Sequence, residues 1–196
     1  MDKKMIVSSS PHIRSYESVD NVMRDVVIAL IPAILASIYF FRLGAVKILV
    51  FAVVSAVITE AVCQKLMKRH VTINDWSAVV TGILLALNIP ATASWWIPVI
   101  GSMFAIIIVK QIFGGLGHNF MNPALAGRAM LIASWPVQMT NWVAPGPDAV
   151  STVTPLAILG GEDPSIVLPS LTDLIIGNIG GCIGETSAAF LILGGV

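Results

Sequence analysis

Charge is what this chain has least of. Of its 196 residues, 11% are charged and 56% hydrophobic, and the formal net charge is zero. A soluble globule of this length needs far more polar surface, so the composition excludes one and points to an integral membrane protein whose solvent is the lipid bilayer. The same shortage excludes nucleic acid as a partner, because no basic cluster is dense enough to follow a phosphate backbone. Cysteine is almost absent. Cys63 and Cys182 stand alone in apolar runs, without CxxC or Cys/His spacing. Neither zinc nor an iron–sulfur cluster is built by this chain alone, no metal site is expected, and both thiols read as buried and free. A signal peptide is also missing, since residues 1–25 carry mixed charges and a proline ahead of the first apolar run.

What is present is a series of apolar runs. The first covers 26–41, with Asp20 as the expected N-cap and Pro32 predicting a kink. The second covers 46–66 and holds Glu60. A compact basic loop of Lys65, Lys68, Arg69 and His70 follows. Asp75-Trp76-Ser77 opens a third run over 78–87, which is only about half a membrane thickness long at ~1.5 Å per residue. Asn88-Ile89-Pro90 breaks it, and Trp95, Trp96 and Pro98 suit an interfacial belt. A further run covers 97–113. Gly114-Gly115-Leu116-Gly117-His118-Asn119 cannot be a helix interior. Asn122 as N-cap and Pro123 in the first turn start a helix that continues to about Trp135. A polar run from about Gln138 to Thr172 holds no Lys or Arg, and residues 174–196 form the last apolar run, where Gly177, Gly180, Gly181 and Gly184 permit close helix contact.

The expected fold is an all-α polytopic membrane protein with about six apolar spans and interrupted or re-entrant helices. Residues 1–25 form an N-terminal segment, 26–135 membrane helices, 136–172 a loop and 173–196 a further membrane helix. The breaks are open to two readings. They are loops outside the bilayer, or interruptions at membrane depth whose freed backbone groups are received by protein or by a polar cavity, as in a transporter-like core. Nine of the eleven Lys and Arg residues lie at or before Arg69. That bias puts the N-terminus and the basic loop in the cytoplasm, and three further crossings put loop 136–172 on the extracytoplasmic side.

Four sets of residues are candidates for chemistry. Within Pro147-Asp148-Ala149-Val150-Ser151-Thr152-Val153-Thr154-Pro155, an acid, three hydroxyl residues and a backbone-fixing proline describe an exposed loop that presents a hydroxyl. Arg128 falls at membrane depth, where an unpaired cation costs so much that it is expected to pair with Glu185 or to face a bound group. Glu60 and Asp25 lie at span edges, where reaching to the interface is the simpler reading and an ion path the sharper one. Asn119 and Asn122 are expected to satisfy backbone groups at a helix end. Gly114-Gly115-Leu116-Gly117 lacks the Lys and Ser/Thr of a phosphate loop and reads as a breaker.

The hydroxyl loop resembles the flavin-attachment loop of a family of membrane proteins that includes RnfD of the Rnf electron transport complex and the corresponding flavin-bearing membrane component of the sodium-translocating NADH:quinone reductase. Ser10-Pro11-His12, Ala29-Leu30-Ile31-Pro32, Asp75-Trp76-Ser77-Ala78, Thr81-Gly82-Ile83-Leu84-Leu85-Ala86-Leu87 and Lys110-Gln111-Ile112-Phe113-Gly114-Gly115-Leu116-Gly117-His118-Asn119-Phe120-Met121-Asn122-Pro123-Ala124 match the same family in the same order. The match is closer to the RnfD branch. It implies flavin mononucleotide (FMN) held by a phosphoester on Thr154, with Asp148 and Ser151 in the same motif. Thr152-Val153 stands where the family usually has Gly-Ala, so Thr152 and Ser151 are alternative acceptors. The resemblance further implies a separate flavin transferase, other membrane and peripheral subunits as partners, and a bacterial or archaeal cytoplasmic membrane. The implied activity is that of a redox-driven translocase passing electrons between ferredoxin and NAD while moving Na+ or H+. This chain would be a subunit with no catalytic residue of its own, and the first part of a longer two-half bundle. The rival reading is a flavin-free channel or transporter for a small solute.

Overall fold

The structure, a computed structural model, describes residues 18–146, 151–161 and 168–196. Ser10-Pro11-His12 and Asp148 lie outside them. Helix α1 spans Val19–Leu66, and its N-cap is Ser18, whose hydroxyl accepts from Asn21 N at 3.3 Å. Asp20, expected as the cap, sits in the first turn instead. Pro32 lies inside the helix, yet the departure from helical backbone angles comes at Arg42, with φ 47° and ψ −126°. Arg42 therefore divides α1 into arms over 19–41 and 43–66, close to the first two expected runs. The arms lie side by side: Ile34 and Ile38 share a groove with Val46, Val50 and Val53. Each arm is long enough for a hydrocarbon core of about 30 Å.

Helix α2, Ser77–Leu87, is short, and Asn88 caps it. Helix α3, Trp96–Phe104, runs on into a wider-wound π-helical stretch, Ala105–Gln111. Helix α4, Pro123–Ser134, opens as expected, with Asn122 Oδ1 accepting from Ala124 N and Leu125 N at 2.9 and 3.3 Å. Four short helices complete the chain: α5 (Pro136–Met139), α6 (Pro155–Leu159), α7 (Leu171–Ile176) and α8 (Ala188–Gly195). The run expected as one membrane helix over 173–196 is therefore divided, and residues 177–187 between α7 and α8 are non-helical. Gly177 begins that stretch at φ 106°, a conformation that favours glycine.

The described residues contain no strand beyond one bridge between Val143 and Ser151. The all-helical class is as expected. One helix, α1, is long and apolar enough to cross a membrane, and Ser77–Leu87 and Trp96–Gln111 are shorter apolar helices. Only 22% of the most apolar window of α1 is buried within the protein, at a mean hydropathy of 2.3. An apolar face that the protein leaves uncovered calls for an apolar solvent or another chain.

The core is built from small residues that let helices approach closely. Ala45, Ala52, Leu85, Ala86 and Ile97 are fully buried, and α1 packs most extensively on α2. At their crossing a Cβ on Gly82 would stand 2.8 Å from Val53 Cα, and on the other side of the bundle a Cβ on Gly127 would stand 2.9 Å from Gly101 O. The break after α2 lies inside this core, since Ile89 and Pro90 are buried. Its freed carbonyls are received by the stretch between α7 and α8. Ile183 N donates to Ile89 O at 3.2 Å, Gly184 N to Leu87 O at 2.9 Å and Cys182 Sγ to Asn88 O at 3.4 Å. The backbone groups freed at Asn88-Ile89-Pro90 are thus satisfied by protein.

Candidate functional site

Two polar clusters interrupt the apolar bundle. The first joins α1 to the π-helical stretch. Lys110 Nζ lies 2.7 Å from Glu60 Oε2, and both side chains are almost wholly buried, at 2% and 1% exposure. Lys110 also donates to Ser77 Oγ at 2.6 Å, and Ser77 Oγ donates to Asp75 Oδ1 at 2.5 Å. Glu60 Oε1 accepts from Gln111 Nε2 at 2.9 Å and from Gln64 Nε2 at 3.1 Å. Two opposite charges are held away from lipid with most of their bonding capacity met, as a buried pair requires. Gln64, Arg69, His70 and Thr72 border a cavity of about 290 Å³ that reaches this cluster. The interfacial reading of Glu60 is overturned: the side chain turns inward because Lys110 meets it there. Asp25, by contrast, is exposed beside Arg24 at 3.7 Å.

The second cluster sits at the break after α2. Arg128, on α4, donates through one nitrogen to Asn88 Oδ1 at 2.6 Å and to Glu185 Oε1 at 2.9 Å. Asn88 Nδ2 in turn donates to Leu84 O at 2.8 Å, so the amide side chain is held at both ends. Of the two expectations for Arg128, pairing with Glu185 is the one observed.

Glu185 also borders a cavity of about 320 Å³ that Thr154 lines as well. Leu156, Leu174 and Ile179 give it apolar walls, and Gly180 and Gly181 give it bare backbone. Gly180 packs against the Thr152 methyl, so a side chain there would overlap it. Thr154 is the N-cap of α6, and its Oγ1 accepts from Ala157 N at 3.3 Å. Ser151 is exposed and bonds Asn141 Oδ1 at 3.3 Å, while Thr152 N donates to Trp142 O at 3.0 Å. Thr154 and Glu185 thus line one cavity, and Arg128 bonds Glu185 but is not itself among the lining residues. Asp148 is outside the described residues.

The cavity, by its lining, suits a partly apolar group held at a hydroxyl. Its volume is at the small end of the roughly 300–1,000 Å³ usual for small-molecule sites, its walls are aliphatic, and Thr154 opens onto it. Cys182 is buried as expected, whereas Cys63 is only partly covered and lines an apolar groove with Ile58 and Val62. Asn119 Nδ2 donates to Met121 O at 3.0 Å, which with the Asn122 cap gives both asparagines the backbone role expected of them. Gly114, Gly115 and Gly117 have φ of 120°, 99° and 85°, which makes that segment a breaker as read. Lys110, Gln111, Ser77 and Gln64 were not singled out in the sequence. The available signal was a lone ammonium in one apolar run and a lone carboxylate in another, since each is unfavourable unless it finds the other.

A bundle of apolar helices around one broken helix, with a hydroxyl-fronted cavity near the break, defines an all-helical protein that carries polar sites within its fold. The sequence comparison is more specific. The chain matches the NQR2, RnfD, RnfE family over residues 6–196 and belongs to it. It is 56% identical, over 98% of its own length, to the D component of the Na(+)-translocating ferredoxin:NAD(+) oxidoreductase complex of Acetobacterium woodii. It is 41% identical over 97% of its length to the D component of the proton-translocating ferredoxin:NAD(+) oxidoreductase complex of Clostridium ljungdahlii. It is 38% identical over 96% to the D component of the ion-translocating oxidoreductase complex of Rhodobacter capsulatus. The chain spans about three fifths of the length of these relatives, 61%, 60% and 61% respectively.

Proposed function

We propose that this chain is part of a membrane subunit of an Rnf-type ferredoxin:NAD+ oxidoreductase complex that drives Na+ or H+ across the bacterial or archaeal cytoplasmic membrane, and that it carries FMN as a phosphoester on Thr154. The observation that carries the reading is the position of Thr154: in a chain so similar to three of these D components, the expected acceptor caps a helix and fronts a cavity of fitting size and lining. When bound, the flavin supplies electron transfer. The chain supplies the rest. Thr154 would tether the flavin, and Leu156, Leu174 and Ile179 would shield it from water. The other subunits hold the ferredoxin and nicotinamide sites, and a separate flavin transferase makes the phosphoester. Thr154 lies on the extracytoplasmic side and the N-terminus in the cytoplasm.

The interrupted α2, buried and closed by residues 182–184, favours a second reading as a flavin-free channel or transporter. Yellow in-gel fluorescence of the denatured protein separates the two. The expected result is a fluorescent wild-type band, a dark Thr154→Ala band at equal protein level, and an FMN mass increment on the peptide covering residues 141–161. A dark wild-type band from the intact complex overturns the flavin reading and leaves the channel.

A further inference from the structure

We propose that Arg128 and Glu185 act as a charge-setting pair for the Thr154 cavity, with Arg128 as a positioning residue that tunes the potential of the group held there. The inference rests on the flavin reading. Glu185 is the charged residue among those lining the cavity. Standing alone, its carboxylate would oppose both the phosphate of an esterified cofactor and the electron that arrives on reduction. The Arg128 guanidinium, 2.9 Å behind it, cancels that charge.

Three features make this more than a stabilising ion pair. Glu185 is about half exposed and Arg128 a quarter exposed, and partly solvated pairs add little to folding. Among the described residues no Lys or Arg lines the cavity, and the cation paired with the carboxylate that does is Arg128. Its position is also fixed independently of Glu185 by the 2.6 Å bond to Asn88 Oδ1, and Asn88 is itself held to Leu84 O. The cation is therefore anchored to the end of α2 inside the core, and the carboxylate is the member of the pair that borders the cavity. Such an arrangement keeps a positive charge one side chain from the bound group while leaving Arg128 outside the contact surface.

The test is a redox titration of the purified complex, with this flavin isolated as the difference between wild-type and Thr154→Ala spectra. Arg128→Gln removes the cation and is expected to lower the midpoint potential. Glu185→Gln removes the anion and is expected to raise it. Arg128→Lys keeps the charge and is expected to shift it less than half as far as Arg128→Gln. Opposite signs in the two Gln variants distinguish charge setting from packing, which has no reason to change sign. Should Arg128→Gln fail to assemble, Glu185→Gln and Arg128→Lys decide. A fluorescent protein with unshifted potentials, or shifts of one sign, overturns this inference alone. A wild-type protein without fluorescence overturns it together with the flavin reading.

Discussion

Glu60 and Lys110 are fifty positions apart in sequence, and neither makes physical sense without the other. Desolvating each ion costs several kcal/mol, and mutual attraction offsets that only when the geometry is good and the remaining donors and acceptors are occupied. Here Gln64, Gln111 and Ser77 occupy most of them. Lys110→Met should therefore lower the stability of the protein by about 3–5 kcal/mol, because it leaves a buried carboxylate uncompensated. The double variant Glu60→Gln/Lys110→Met should recover most of that loss. Thermal aggregation of the purified complex in detergent, followed by the gel band of this chain, reads both. A single variant as heat-resistant as wild type would show that the pair is not holding the bundle together. The sequence shows one half of this, a carboxylate near a span end whose simpler reading is a reach to the interface. Only packing decides between reaching the interface and meeting a lysine. The hydroxyl loop was more legible, because an acid, hydroxyls and a proline in sequence describe an exposed turn through local chemistry, whereas the choice of Thr154 within it came from the family resemblance alone.

Elements were readable where local signals acted alone. Asn122-Pro123 fixes the start of α4, and Asn88-Ile89-Pro90 ends α2. What the sequence leaves open is where broken ends go. The partner of the α2 terminus is the 182–184 stretch, nearly a hundred residues onward, and that same stretch is why the last apolar run is not one helix. Its Ile183 and Gly184 N–H groups bond to another segment's carbonyls instead of their own helix. Arg42 is a similar case, since a bend at a non-glycine residue with positive φ is set by the packing of the two arms. The crossing of α1 and α2 yields a prediction at this scale. In an exposed helix Gly→Ala gains up to ~1 kcal/mol of helix propensity. At Gly82 the added Cβ would meet backbone, Val53 Cα at 2.8 Å and Ala52 O at 3.1 Å, and backbone cannot rotate away. Overpacking costs of about 1–3 kcal/mol then exceed the propensity gain. Gly82→Ala is expected to be destabilising, and Gly82→Val to abolish accumulation of the protein in membranes. An immunoblot of the membrane fraction measures both, and normal levels of Gly82→Val would mean that α1 and α2 do not meet this closely.

At the scale of the molecule the polar features separate into two ends. Lys65, Lys68, Arg69 and His70 lie beyond the Glu60–Lys110 cluster at the end of the second arm of α1. Arg42, at the opposite end of that arm, borders a cavity with Pro145, Gly146, Asp173 and Asn178, so the loops flanking the Thr154 helix gather at the Arg42 end. Basic residues in short loops are retained on the cytoplasmic side during insertion, whereas loops without them cross freely. The basic cluster should then face the cytoplasm and the Thr154 end the outside. Arg42 and Lys47 lie against this bias, outnumbered by the cluster at the other end of the arm. In a Cys63→Ser/Cys182→Ser background, a cysteine placed at exposed Thr140 should react with a membrane-impermeant maleimide in intact cells. One placed at exposed Lys68 should react only after permeabilisation. The reverse pattern would turn the protein over, put the proposed flavin in the cytoplasm, and require electrons to reach it without crossing the membrane.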